Sequence, residues 1–234
     1  MGLLNWRSRS PYRIDQVVVP EDTFAEGTSR YMQMTYVQMF VNHALDTAMW
    51  ARHELPREAL IAAHVADYLG EVNNGGHAQF VANTGWDVDM RADIREGLSM
   101  LRLDEAARIF ADLEAFAVAE PERFRCIGGM GSAALANLMR PGSEPQTIDP
   151  YFHELDDRFF GTPSESIADA IGSWLETRPP WLRVVPDAEY NGPIPGWKTP
   201  DHPLRDARWR ARWRRSGFDL GAFLARLREY LHGG

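Results

Sequence analysis

The sequence has very little cysteine and very little lysine. Its one cysteine, Cys126, cannot form a disulfide bond within the chain, and Lys198 is the only lysine, so arginine supplies nearly all of the positive charge. An uninterrupted apolar run of roughly 18 residues is missing, and the first residues lack the apolar core of a secretion signal. We therefore expect a cytoplasmic protein that has no membrane partner.

Motifs of the common enzyme classes are also missing from the sequence. Residues 128–132 are as rich in glycine as a phosphate-binding loop, but they lack its lysine and a preceding strand. No nucleophile elbow of the Gly-x-Ser-x-Gly type and no His-Glu-x-x-His zinc motif occurs. We therefore expect no catalytic residues and no cofactor, and we interpret the chain as a binding protein. An enzyme that depends on a metal or a small molecule stays open as the alternative.

Apolar residues, by contrast, are plentiful and follow the period of a helix. With 44% hydrophobic residues in 234, the chain can bury a proper core. The spacing predicts an all-α protein, a single multi-helix orthogonal bundle. The expected helices span about 29–52, 56–72, 77–83, 87–102, 104–116, 149–160, 164–177, 204–215 and 219–231.

The flanks of the bundle differ from it in composition. Residues 1–28 show no sustained period and predict an irregular arm, in which Val17–Pro20 could add a short strand. Residues 179–203 are rich in proline and glycine, which predicts a long loop without a helix. Residues 204–234 form a basic helical extension that we expect to pack on the core, which leaves 29–178 as the main domain.

Charge is distributed unevenly along the chain, whose formal net charge is −8. Residues 61–160 contain seventeen acidic and eight basic residues, a net charge of −9, whereas 201–234 carry eight basic and four acidic residues, a net +4. An acidic middle disfavours direct nucleic-acid binding and favours a basic partner. We expect the basic tail to dock on this acidic middle, in its own chain or in a dimer mate, rather than to bind nucleic acid. Its arginine and tryptophan residues are Arg205, Arg208, Trp209, Arg210, Arg212, Trp213, Arg214 and Arg215.

Three carboxylates define a candidate acidic face. Asp89, Asp93 and Glu96 follow one another at four and three residues, so they share one side of the helix predicted over 87–102. A four-residue step rises about 6 Å, close to the spacing of successive phosphates on a DNA strand. We therefore predict that this face binds a basic partner.

The segment 71–83, EVNNGGHAQFVAN, is the most distinctive part of the chain. Asparagine and glycine can end a helix, and two glycines let neighbouring helices approach closely. The asparagines could bond freed backbone groups, so the segment is interpreted as a polar knot, with a ligand pocket as the open alternative. The residues that define this motif are Glu71, Asn73, Asn74, Gly75, Gly76, Gln79, Phe80 and Asn83.

This motif, together with ELDDRFF at 154–160, resembles the signature of a bacterial family of DMP-type DNA-mimic proteins. The resemblance covers about 58–176, so 29–178 is interpreted as a DNA-mimic-like domain. It implies an all-helical fold and a non-enzymatic regulatory role. It further implies an acidic surface that imitates duplex phosphate and binds a DNA-binding protein.

A metal site is the main alternative to the interpretation of the chain as a non-enzymatic binding protein. His64, Asp67 and Glu71 lie at intervals of three and four residues on one helix, and His77 follows the Asn-Gly-Gly turn. Histidine and carboxylate side chains on one helical face can bind a divalent metal ion. A partly buried histidine beside acids that already have hydrogen-bond partners is the commoner arrangement, and we expect it here.

Overall fold

The structure is a computed structural model that describes residues 11–128, 149–162, 165–190 and 199–215. These residues form nine α-helices and two short strands, which confirms the all-α prediction. The strands are β1 (Val17–Pro20) and β2 (Leu182–Val185). The helices are α1 (Arg30–Asp46), α2 (Arg57–Thr84), α3 (Val88–Met100), α4 (Asp104–Ala119), α5 (Pro121–Gly128), α6 (Pro150–Gly161), α7 (Glu165–Glu176), α8 (Asp187–Tyr190) and α9 (Arg205–Arg215).

Helix α2 forms the centre of the fold. Every residue from 59 to 66 is buried, because α1, α3, α6 and α7 pack around this helix. Aromatic rings of Phe80, Phe110 and Phe159 surround the fully buried ring of Tyr68. Full burial of a large apolar side chain contributes about 1.5–3 kcal/mol, so this ring cluster is a main source of stability.

Helix α1 begins as predicted but ends earlier. The Ser29 hydroxyl accepts from the backbone N–H of Met32 at 3.3 Å and caps the helix. The helix ends at Asp46 rather than near residue 52, and Met49 adopts a left-handed φ of 62°. The chain leaves the helical path here because residues 46–54 form the surface on which the C-terminal helix docks.

The arm and the proline-rich segment meet in a small parallel sheet. Strand β1 pairs with β2 in the register Val17 to Leu182 and Pro20 to Val185, which confirms the possible strand in the arm. The expectation that 179–203 contains no regular element is wrong, because β2 and the single-turn helix α8 lie within it. Burial of Leu182 and Val185 against the core outweighs the flanking prolines.

The C-terminal helix does not lie on the acidic middle of the chain. Helix α9 packs on residues 46–54, where the buried carboxylate of Glu54 binds Arg208. The predicted helix 219–231 and the glycine-rich segment from residue 129 onward lie outside the described residues. None of the helices in the described ranges combines the length and the apolarity needed to cross a membrane.

Candidate functional site

The Asn-Gly-Gly motif forms a kink in α2. The backbone departs from helical geometry at Gly75 and Gly76, and the helix resumes at His77. Gly76 has φ 75° and ψ −177°, a conformation that is essentially restricted to glycine. The predicted helix stop is therefore present, but as an interruption within one continuous element.

Asp156 of α6 closes on this kink. A Cβ atom at Gly76 would collide with the Asp156 carboxylate. Asp156 Oδ1 accepts from the backbone N–H of His77 at 2.8 Å and lies 2.6 Å from His77 Nδ1. The two motifs that carry the family resemblance are eighty residues apart in sequence, yet they touch through these three residues.

Tyr68 completes a buried chain of hydrogen bonds. Because the Asp156 carboxylate only accepts, His77 Nδ1 carries the proton, and the Tyr68 hydroxyl lies 2.9 Å from His77 Nε2. Tyr68 and His77 are fully buried, and burial raises the pKa of Tyr68, so its hydroxyl stays protonated and donates. Such a chain resembles a proton relay, but Tyr68 and His77 have no exposed surface. We interpret it as a structural network that fixes the kink.

Glu71 lies on the outer side of the kink. Its Oε2 accepts from the side-chain amides of Gln79 at 2.9 Å and Asn83 at 2.7 Å. Both donors are neutral, so they orient the carboxylate without cancelling its charge. The predicted knot is therefore formed by Glu71, Gln79 and Asn83.

The two asparagines of the motif do not form the hydrogen bonds that were predicted for them. Asn73 and Asn74 are exposed, and neither side chain forms a hydrogen bond with any residue that the structure describes. The prediction that they satisfy freed backbone groups is therefore wrong. Phe80, the aromatic residue of the motif, is buried against Tyr68.

A second carboxylate, Asp67, is held in the same way one helical turn earlier. Its Oδ1 accepts from the amides of Gln38 at 2.6 Å and Asn42 at 3.0 Å, both on α1. Burial raises the pKa of Asp67, and the two amide hydrogen bonds oppose that shift. Asp67 and Glu71 thus form a pair, which we call the amide-held carboxylates.

The alternative metal site is not assembled among the described residues. His64 bonds Asp93, Asp67 bonds α1, Glu71 bonds two amides and His77 bonds Asp156. Across the described ranges, no group of three or more histidine, cysteine or acidic side chains could hold a metal ion. His64, Asp67 and Glu71 do lie at helical spacing on α2, but each side chain has a separate hydrogen-bond partner.

The predicted acidic face on α3 is largely neutralised. Asp93 has only 2% of its side chain exposed, and its two oxygens bind Arg52 and Arg57. His64 Nδ1 lies 2.7 Å from Asp93 Oδ2, and burial and then Arg52 lower the pKa of His64 to about 3, so the ring is neutral and donates. Asp93 therefore cannot serve as an accessible partner-binding carboxylate, because two cations already occupy it.

Asp89 and Glu96 do share a helical face with Asp93. Their side chains are 68% and 52% exposed, yet Arg52 lies 3.9 Å from Asp89 and Arg57 binds Glu96. The same two arginines thus face all three carboxylates. Sequence reasoning missed them because Arg52 and Arg57 belong to no motif and lie about forty residues before α3.

A family model described as DMP19-like protein matches residues 53–178, just over half of the chain. No curated protein and no solved structure matches the chain. The matched range spans α2 to α7, so it contains the kink, Asp156 and both sets of carboxylates. The chain therefore belongs to the DMP19-like protein family.

Proposed function

We propose that this protein is a non-enzymatic regulatory binding protein, a DNA mimic that occupies the DNA-binding face of a basic protein. One observation carries the proposal: among the described residues, neutral amides and no arginine hold the partly exposed Glu71 carboxylate beside the kink. Its negative charge is fixed in position and remains available to a partner.

Further uncompensated charge lies on α6, the helix that closes the kink. Glu154 and Asp157 flank Asp156 and are exposed, and within the described ranges neither has a cationic partner. The neighbouring Arg158 is directed at Asp112, at 2.7 Å, and at Glu105. We call the partly exposed Glu71 and the exposed Glu154 and Asp157 the kink surface.

The kink surface supports mimicry better than the α3 face does. On α3, two arginines meet three carboxylates, so little net charge is left to attract a basic partner. Opposite charges a few ångströms apart cancel beyond a Debye length of about 8 Å at physiological salt. The kink surface lacks such cancellation among the described residues.

Fixed carboxylates also bind at a lower entropic cost than mobile ones. Ordering a rotamer-rich side chain at an interface costs about 0.5–1.5 kcal/mol. The amides of Gln79 and Asn83 already hold Glu71.

A capture experiment with two matched double variants tests the proposal. Immobilised wild-type protein is used to capture partners from bacterial lysate at low and high salt, followed by mass spectrometry and competition with duplex DNA. We expect a DNA-binding protein that salt and DNA release. In Glu71→Gln/Asp157→Asn, binding should weaken, and the slope of log affinity against log salt should fall by about one per lost contact.

The control Asp89→Asn/Glu96→Gln removes the same amount of charge from the α3 face. It should leave affinity nearly unchanged, because arginines already compensate those carboxylates. If this control abolished binding while the kink variant did not, the α3 face would be the interface. If neither variant altered binding, or if DNA failed to compete, the mimic proposal would be wrong.

A further inference from the structure

Several hydrogen-bond acceptors of residues 46–54 face the C-terminal segment. At their centre lies Glu54, whose side chain is completely buried. Around it, the carbonyl oxygens of Thr47, Ala48 and Met49 point outward to the C-terminal segment. Asp46 adds a carboxylate at the edge. We call these groups the acceptor row.

Arg208 of α9 fills the centre of the acceptor row. Its guanidinium donates to the two Glu54 oxygens at 2.6 and 2.8 Å and to the Met49 carbonyl at 2.9 Å. The backbone N–H of Ala51 donates to Glu54 Oε2 at 2.8 Å and holds the carboxylate in place. This is the planar two-pronged geometry for which guanidinium is suited and ammonium is not.

Other donors of the C-terminal segment occupy the remaining acceptors. Arg205 Nε donates to the Thr47 carbonyl at 3.0 Å, and Arg212 binds Asp46 at 3.1 Å. The backbone N–H of His202 donates to the Ala48 carbonyl at 2.9 Å. Trp50 Nε1 is a donor on this surface and bonds the Pro200 carbonyl at 2.6 Å. The other contacts named here are acceptors, which favours arginine, the side chain with five donors and no acceptor.

The centre of the acceptor row requires a cation. A buried carboxylate that loses its partner has a large desolvation penalty, so removal of one member of a buried ion pair is strongly destabilising. Glu54 is therefore strongly biased toward binding a guanidinium from any source.

Helix α9 covers this surface loosely. Six of its eleven residues are arginine, and the side chains of Arg205 and Arg212 are 39% and 58% exposed. An open groove of about 480 Å³ remains beside the helix. It is lined by Leu45, Met49, Trp50, Ala51, Arg208, Ala211 and Arg212. Arginine contacts to the acceptor row help to hold α9, so another arginine-bearing segment could replace it.

We infer that the acceptor row is a second binding site, which takes an arginine-bearing segment of another protein and which α9 occupies as an intramolecular competitor. The family match begins at residue 53 and ends at 178, so Glu54 lies within it and α9 lies outside. Glu54 thus lies in the family domain, whereas the rest of the acceptor row and its occupant lie in the remainder of this chain. The kink surface is not involved, so the two proposals stand or fall separately.

Anisotropy of a fluorescein-labelled peptide with the sequence of residues 199–215 tests the inference. The peptide is titrated with full-length wild-type protein and with full-length Arg208→Ala, in which α9 no longer pairs with Glu54. We expect Arg208→Ala to bind at least about tenfold more tightly, because its site is vacant for a larger fraction of the time. The same peptide with the Arg208→Ala change should not bind, and Glu54→Gln in the protein should also abolish binding.

The matched control is Arg183→Ala, which removes an exposed arginine from β2 and should bind the peptide as weakly as wild type does. Circular dichroism verifies that each variant is folded. Should Arg208→Ala not fold, Arg205→Ala/Arg212→Ala loosens α9 while leaving Glu54 paired and is tested in the same way. If folded Arg208→Ala, or the double variant used in its place, did not bind the peptide, the inference would be wrong. A wild-type dimer that Glu54→Gln dissociates would assign the site to a second copy and would overturn it too.

Discussion

Asp93 and Glu71 are both carboxylates in contact with α2 residues, but they differ in the charge of the side chains that hold them. Arg52 and Arg57 clamp Asp93 at the α2–α3 contact, where only 2% of its side chain is exposed. At the kink, two neutral amides hold Glu71. Arg52 and Arg57 neutralise the charge of Asp93 at the contact between two helices. The amides that hold Glu71 leave its charge uncompensated. The charge of the partner side chain, rather than the carboxylate itself, decides which role each one takes.

Replacement of Asp93 by an isosteric amide should have the largest effect on stability. Asp93→Asn leaves two guanidiniums facing each other across a buried site without an anion. We expect a loss of about 3 kcal/mol, at the lower end of the range for broken buried pairs, since both arginines can turn to solvent. Urea unfolding followed by circular dichroism gives the difference directly.

Glu96→Gln is the control for that measurement, because it removes an exposed carboxylate that Arg57 also binds. Exposed ion pairs contribute about 0–1 kcal/mol, so the free energy of unfolding should change little. Equal losses in the two variants would show that burial does not distinguish Asp93 from its neighbours.

Gly76→Ala, at the kink, should have the second largest effect on the free energy of unfolding. In Gly76→Ala the new Cβ meets the Asp156 carboxylate, and the backbone conformation is one that alanine avoids. Strain of this kind costs about 1–3 kcal/mol. Gly70→Ala on the same helix is the control: a Cβ there has open space, so it should stabilise by up to about 1 kcal/mol. A similar result for the two variants would mean that the kink is not held by the contact between Gly76 and Asp156.

The helices and the glycine interruption of α2 could be predicted because they depend on local patterns. Apolar residues every three or four positions mark the buried faces, and two consecutive glycines remove the constraint that keeps a helix straight. The contact between Gly76 and Asp156 was not predictable from the pattern alone. It joins two motifs eighty residues apart, and only the packing of α6 on α2 brings them together.

The same limit explains the errors at the candidate sites. Sequence spacing placed Asp93 with Asp89 and Glu96 correctly, but it carried no information on Arg52 and Arg57, which approach from another element. Apolar periodicity gives no sign of the Tyr68 hydrogen bond, because its partner, His77, lies beyond the kink. The acceptor row consists mainly of backbone carbonyls, which no side-chain motif can reveal.

The docking site of α9 contains a buried histidine, His202, so the free energy of unfolding should depend on pH. His202 Nδ1 accepts from the backbone N–H of Leu204 at 2.9 Å, and its Nε2 lies 3.4 Å from Glu54. Burial, and then Arg208, lower the pKa of His202, whereas Glu54 opposes the shift. The aromatic rings of Tyr12 and Trp50 are the other groups that face the imidazole.

The sign follows from proton binding. A histidine whose folded pKa is depressed binds more protons when unfolded, so its contribution is complete above about pH 6.5 and is lost as pH falls below that value. Burial lowers the pKa of His43 and His64 too, so both add to the loss of stability at low pH. In His202→Asn the amide oxygen can still accept from Leu204, but it does not titrate. Urea unfolding between pH 8 and 5 should therefore show a flatter pH dependence for this variant, and an unchanged slope would exclude His202 as the source.

The smallest effect on stability should come from Glu71→Gln, the counterpart of Asp93→Asn. The glutamine carbonyl can still accept from Gln79 and Asn83, and no cation is left without a partner, because none was bound. We expect a loss below about 1 kcal/mol, the difference between a charged and a neutral acceptor at a partly exposed site. Urea unfolding measured beside Asp93→Asn tests the contrast. A loss as large as that of Asp93→Asn would make Glu71 part of the fold, and the case for an available charge at the kink would fail with it.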